Sequence, residues 1–215
     1  MAKLRFNISV SLDGYVAGPD QTLEEPLGRG GEDLHEWVVK LRTWREAHGM
    51  EGGSDGRDNE AMRDMLHNVG ATIMGRGMFG GGSGPWNMDE PWRGWWGTSP
   101  PFKHSVFVIT HHPREKLTFD NGTSFTFVTD GIRSAYDQAM EAAGGRDVMI
   151  GGGADVADQY LAAGLVDEMD LHVVPILLGG GSRLFADAGA DMHGLELVRT
   201  TPGDGVVHLK FARGV

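Results

Sequence analysis

The stretch VMIGGGADVADQYL, from Val148 to Leu161, sets three apolar residues, three glycines and a helix-like segment in a row. A short apolar run followed by helical spacing reads as a buried strand feeding a helix. One glycine serves a tight turn; three in succession, Gly151, Gly152 and Gly153, leave the backbone bare where the helix begins. Helix N-termini offer unpaired N–H groups and a partial positive charge, which suit a phosphate. A tight strand-to-helix connection without a ligand is the other reading of the same glycines.

Outward from this junction the chain alternates strand-like and helix-like stretches. Residues 3–12 alternate in polarity and read as a strand, and Asp13-Gly14 ends it. Residues 31–47 carry Leu34, Trp37, Val38, Leu41 and Trp44 at helical spacing, and Asn59 is placed to cap a second helix. Residues 71–74, 105–110, 125–128, 148–150 and 169–178 read as strands, and 131–143 and 154–163 as helices. Residues 195–201 and 206–213 form an antiparallel pair around Pro202-Gly203-Asp204-Gly205. Such alternation implies an α/β fold, a mainly parallel sheet covered by helices on both faces with an antiparallel C-terminal edge. One domain over 1–215 is expected, with no repeat and no linker.

Two further turns bear on function. The stretch IMGRGMFG places Gly75, Arg76 and Gly77 after a strand, where Arg76 would meet a phosphate. No acidic residue follows at the spacing of the dinucleotide fingerprint, so this turn is informative only beside the first. The stretch VITHHPRE ends a strand at Thr110 and adds His111, His112 and Arg114, a cationic pocket or an exposed polar turn. Adjacent histidines on extended backbone point to opposite faces, and no metal is expected.

The chain has 215 residues, a net charge of −11 and no cysteine. Disulfides and thiol chemistry are excluded, and nucleic acid or an anionic membrane is a poor partner for an acidic surface. No run approaches the ~18 apolar residues of a membrane span, and MAKLRFNISV lacks a signal-peptide core. A cytoplasmic protein is expected.

Taken together, NISVSLDGYVAG, GATIMGRGMFGG, VFVITHHP, VMIGGGADVADQYLAAGLVDEMDLHVVPILLGGGSRLF and the two final strands resemble the dihydrofolate reductase-like superfamily. Within it the chain is similar to the reductase domain of bifunctional riboflavin-biosynthesis deaminase/reductases and its stand-alone relatives. The resemblance implies an eight-stranded, mostly parallel sheet that binds NADPH along its strand ends. It places Gly75, Arg76 and Gly77 at the cofactor phosphates. Thr110, His111 and His112 fall by the adenosine ribose and its 2′-phosphate, and Gly151, Gly152, Gly153, Ala154, Asp155 and Val156 at the pyrophosphate and nicotinamide. Glu32, Asp33 and Glu36 fall where dihydrofolate reductases carry the acidic residue that supports protonation, with Asp33 the best fit by position, and Asp13 is a second catalytic candidate. His35 is a candidate proton shuttle or a satisfied helix histidine, and Trp86 and Trp96 are candidates for stacking on a flat substrate or for packing on the core or a partner subunit.

The function that follows is hydride transfer from NADPH to a small heteroaromatic or C=N/C=O substrate. A nucleotide-binding protein with little turnover and a flavin- or deazaflavin-dependent enzyme are the alternatives. A homodimer is expected, from the apolar strand 169–178, the tryptophan-rich loop and the habit of the resembling family.

Overall fold

The computed structural model describes residues 2–89, 91–189 and 191–214. In chain order the elements are β1 (Leu4–Ser11), β2 (Tyr15–Ala17), a 3-10 turn (Gly31–His35), α1 (Glu36–Val39), α2 (Arg42–Ala47) and α3 (Arg57–Leu66). Next come β3 (Val69–Gly75), α4 (Arg76–Phe79), β4 (Ser105–Ile109), β5 (Leu117–Thr118), β6 (Ser124–Val128), α5 (Gly131–Ala143) and β7 (Asp147–Gly152). The chain closes with α6 (Ala154–Ala162), β8 (Glu168–Val174), β9 (Ser182–Arg183), β10 (Leu195–Pro202) and β11 (Val207–Arg213).

One large sheet runs β10-β11-β8-β1-β7-β3-β4-β6-β5. The six strands from β8 to β6 are parallel, and β11, β10 and β5 are antiparallel to their neighbours. The sheet has nine strands rather than the expected eight. The ninth is β5, two residues that the sequence pattern is too short to mark.

Period-2 alternation sends successive residues to opposite faces. Leu4, Phe6, Ile73 and Ile150 join the main core with Ala135, Ala139, Ala157 and Tyr160 of α5 and α6. The other face divides in two. Over β3, β4 and β6, Met74, Val106, Val108 and Phe125 are covered by Phe79 and by tryptophans of the 80–104 loop. Over β8 and β11, Val174 meets Leu34, Trp37, Val38, Leu41 and Met62 of the first helices. Apolar burial at about 25 cal/mol per Å² makes these three clusters the main cohesive force of the fold.

Three local expectations are corrected. The helix expected over 31–47 breaks at Leu41, whose φ of −76° and ψ of 144° are extended. Leu41 pairs there with Ser54 as an isolated bridge while its side chain stays buried. Asn59 is not a cap: α3 starts at Arg57, and the buried Asn59 Oδ1 accepts the Thr43 N–H at 2.9 Å. The strand expected over 169–178 ends at Val174, because Pro175 lacks the N–H a ladder needs. The apolar surface expected to drive dimerisation is therefore reduced. β8 is largely buried and the loop tryptophans pack inward, whereas Leu197, Val198 and Val207 on the β10–β11 edge are exposed. Among the described residues no helix is long and apolar enough to cross a membrane.

Candidate active site

Ligands in open α/β sheets gather beyond the carboxyl ends of the parallel strands. Here β7, β3 and β4 lie side by side, and Met74 pairs with Gly152 while Gly75 pairs with Ile109. The turns after Gly152, Gly75 and Ile109 thus stand next to one another on one edge. The three motifs that looked separate in the sequence meet along one edge of the sheet.

Each glycine has its own physical reason. A side chain at Gly75 would strike Val156 Cγ2 at 2.9 Å, so glycine lets α6 pack against β3. Gly152 has φ +127°, a conformation that L side chains rarely adopt. Gly77 and Gly153 need no such explanation, since a Cβ at either would meet no protein atom within 4 Å. Those two positions leave open space. Gly153 also begins the nine-residue α6, and no side chain caps that helix. The first-turn amides after Gly153 are therefore without a side-chain acceptor, which suits an anion. Ala154 and Val156 are buried and Asp155 is exposed, so what they offer a phosphate is main-chain N–H rather than side chain.

The charge of the groove comes from Arg76 and Arg114. The Arg76 guanidinium lies 3.1 Å from the centroid of a Trp86 ring and donates to the Gly80 and Gly81 carbonyls at 3.2 and 3.1 Å. The Arg114 guanidinium lies 4.8 Å from the same tryptophan and 5.2 Å from Phe127. Both Nη1 atoms are buried without a hydrogen-bond partner. Among the described residues neither arginine is paired with a carboxylate. Burial, and then the charge of Arg114, push the Arg76 guanidinium below its ordinary pKa. Two cations lie together on a protein of net charge −11, each with a buried donor left without a partner, an arrangement that suits an anion.

Thr110 is buried, and its Oγ1 accepts the His112 N–H at 3.2 Å. The His112 carbonyl accepts the Trp86 indole N–H at 2.9 Å, which ties this turn to the Arg76–Trp86 stack. His111 is exposed. The cationic centre is therefore Arg114 with Arg76 more than the two histidines. Trp86 joins two arginines 38 positions apart, a contact that no local spacing announces.

On the other side of the groove, Asp33 is exposed and lines a cavity of about 400 Å³ with Pro19, Arg29, Gly30 and residues 176–180. His35 is half-buried, its Nδ1 has no partner, and burial lowers its pKa. Asp13 does not suit an acid catalyst. Its carboxylate accepts the Ser11 hydroxyl at 2.6 Å and the Leu178 and Gly179 amides at 3.2 and 2.7 Å. The Ser11 hydrogen bond first, then the two amides, hold its pKa down at about 2. Asp13 clamps the turn that walls the cavity.

Of the two readings of the loop tryptophans, packing on the core is the one the contacts describe. Trp86 packs edge-on against Phe79 and Phe127, and Trp96 against Phe102, and Trp96 also stacks with Phe125. The Trp92 and Trp95 indoles donate to the Phe79 and Met78 carbonyls at 2.8 and 3.0 Å. Trp86 and Trp96 belong to the cover of β3, β4 and β6 and do not line the cavity beside Asp33. Among the described residues no acidic or histidine cluster could hold a metal ion.

Two curated relatives come from Bacillus subtilis (strain 168). The uncharacterized protein YwjB is 32% identical over 178 residues, 83% of this chain and 79% of that protein. The uncharacterized protein YyaP is 29% identical over 106 residues, 46% of this chain and 55% of that protein, so the match spans about half of YyaP. Among solved structures, a putative riboflavin biosynthesis protein from Shewanella sp. PV-4 superposes with a TM-score of 0.63 at 20% identity, covering 99% of both chains. Dihydrofolate reductase from Enterococcus faecalis, complexed with NADP(H), superposes with a TM-score of 0.57 at 14% identity, covering 99% of this chain and 97% of that one. The Thermotoga maritima deaminase/5-amino-6-(5-phosphoribosylamino)uracil reductase gives 0.55 at 12% identity, covering 99% of this chain and 57% of that one. The fold is thus dihydrofolate reductase-like. The sequence profile of the RibD C-terminal domain matches residues 2–209, and the chain belongs to that family.

Proposed function

We propose that this protein is an NADPH-dependent reductase of a small heteroaromatic or C=N/C=O substrate. The observation that carries the reading is the pair of free, buried guanidinium donors on Arg76 and Arg114 beside an uncapped helix start with open glycines. Two anion-binding features on neighbouring strand ends suit a dinucleotide that carries a pyrophosphate and a separate 2′-phosphate. Gly153 to Val156 would hold the pyrophosphate through N–H groups, and Arg76 and Arg114 the 2′-phosphate. Family membership, with reductases among the structural neighbours, supports the same chemistry.

When bound, NADPH supplies a hydride to the substrate carbon, and a proton must reach the neighbouring nitrogen or oxygen. The chain contributes orientation and that proton. Asp33 faces the 400 Å³ cavity and would accept a substrate N–H. His35, whose pKa burial lowers, has a ring nitrogen without a partner on the same turn. Gly152 and Gly153 keep the cofactor side of the groove free of side chains, and the clamp from Asp13 to residues 178–179 fixes the opposite wall. Positioning of this kind accounts for several kcal/mol of an enzymatic barrier.

The test is NADPH oxidation followed against a panel of pterins, pyrimidines, imines and quinones, with purified protein free of flavin absorbance. Turnover of one class, lost on Asp33→Asn with NADPH affinity retained, is the expected outcome. NADPH binding without turnover of any of them would leave a nucleotide-binding protein. A bound flavin would overturn the reading.

A further inference from the structure

Away from the cofactor groove, a cavity of about 270 Å³ opens between α3 and the β8–β11–β10 part of the sheet. Three cations and three carboxylates line it: Arg57, Arg199 and Lys210 with Glu60, Asp64 and Asp170. The charges balance, and four of the six are paired, Arg199 with Asp64 at 2.8 Å and Lys210 with Asp170 at 3.4 Å. The inner wall is formed by His172 and His208, which face each other across β8 and β11.

These histidines end a buried chain. His208 Nε2 lies 3.1 Å from Asp58 Oδ1, and His208 Nδ1 lies 2.7 Å from His172 Nδ1. Asp58 Oδ2 accepts the Asp204 N–H at 3.0 Å, so Asp58 is an acceptor. His208 thus has a partner at each ring nitrogen, and His172 uses its Nδ1 toward His208. The His172 Nε2 is left as the ring nitrogen of the pair without a partner. His172 is 2% exposed, and its Nε2 has no partner. Burial first, and the charge of His208 second, hold the His172 pKa down at about 3, so the ring stays neutral at physiological pH.

We propose that this cavity is a second binding site, separate from the cofactor groove, for a small uncharged molecule with an amide- or urea-like edge. Such an edge sets an N–H donor beside a carbonyl acceptor. The edge meets His172 Nε2 through its donor or its carbonyl, the donor otherwise meets the Asp170 carboxylate, and the carbonyl meets the Lys210 ammonium or the Arg57 guanidinium, for which no carboxylate partner is found among the described residues. The charge-balanced lining calls for no net charge on the ligand. Packed against His172 are His208 of β11, Ser9 of β1 and Trp37 of α1, whose indole donates to Ser9 Oγ at 3.0 Å, and Arg57, Glu60, Asp64, Asp170, Arg199 and Lys210 line the same cavity. None of these hydrogen-bonds His172 Nε2.

The probes are urea, 2-pyrrolidone and uracil, with acetate as an anionic control, added at millimolar concentration without nicotinamide cofactor. The readout is the imidazole nitrogen resonance of His172. One of the uncharged probes should shift it saturably, and acetate should not. Ala61→Phe, which fills the cavity from α3 and leaves the histidines in place, should weaken binding at least tenfold, about 1.4 kcal/mol, and leave NADPH affinity unchanged. A saturable shift with acetate alone, or a shift that survives Ala61→Phe, would overturn the proposal. So would the absence of any shift, which would mean that the cavity holds solvent only. If Ala61→Phe does not fold, Arg57→Ala at the exposed rim serves the same comparison.

Discussion

Two charged regions of the molecule are built on opposite principles. Around β1, β7, β8, β11 and β10, Arg5, Lys3, Lys210 and Arg199 meet Asp147, Glu168, Asp170 and Asp64, so cation is set against carboxylate. Beside β3 and β4, Arg76 and Arg114 stack on Trp86 and each keeps a free donor. Arg5 Nε also lacks a hydrogen-bond partner, but it lies 3.6 Å from Glu168 Oε2, whereas Arg76 and Arg114 meet no carboxylate among the described residues. His172 Nε2 is a second buried atom without a partner in the paired region.

The comparison breaks most visibly at Gly152. Gly152→Asp adds a carboxylate beside the uncapped start of α6, at a φ of +127° that glycine alone adopts freely. NADPH binding should fall below detection by calorimetry, while thermal unfolding stays cooperative. Unchanged affinity in the folded variant would remove the glycine turn from the cofactor site.

The paired region should answer in stability instead. Arg5 is 6% exposed, donates to the His67 and Asp64 carbonyls at 2.9 and 2.7 Å, and lies 3.5 and 3.6 Å from Asp147 and Glu168. Arg5→Met should cost about 3–5 kcal/mol by denaturant unfolding, because buried partners lose their charge complement. NADPH affinity should not change. A loss in affinity without a loss in stability would reverse the roles given to the two regions.

Acid sharpens the contrast by a smaller amount. His172 is held down at about 3 by burial and then by His208, and His104 at about 4 by burial and then by Arg146. In the unfolded chain both take up a proton near 6.5. Between those values the unfolded state binds more protons, so stability is full above pH 6.5 and falls as pH drops toward 4. The expected slope is on the order of 1 kcal/mol per pH unit for each histidine. Denaturant unfolding at pH 7 and pH 5 measures it, and equal stability at the two values would mean that one or both rings are solvated.

Much of this architecture is legible in the residues. The alternation of β1, the glycine turns after β3 and β7 and the closing β10–β11 pair each carry a local signal. The break at Leu41 is not legible, because Leu34, Trp37, Leu41 and Trp44 keep the same period whether or not a bridge to Ser54 interrupts the helix. The stacking of Arg76 and Arg114 on Trp86 is set by the long-range path of the 80–104 loop. The choice between stacking on a substrate and packing on the core for Trp86 and Trp96 is not legible in the sequence, because the Phe79, Phe102 and Phe125 surfaces beneath them are set by the path of the loop. His172 and His208 did leave a trace: each sits at an inward position of an alternating strand, and a buried polar residue there calls for a partner.

The central claim is that Arg76 and Arg114 recognise the 2′-phosphate, the one group by which NADPH differs from NADH. The direct measurement is titration of both cofactors into the wild type and into an Arg76→Ala/Arg114→Ala variant. A charge-assisted contact of about 1.5–3 kcal/mol corresponds to roughly ten- to a hundredfold in affinity. The wild type should prefer NADPH by at least that factor, and the variant should lose the preference while its affinity for NADH is unchanged. Equal affinity for the two cofactors in the wild type, or a preference that survives the double substitution, would contradict the account.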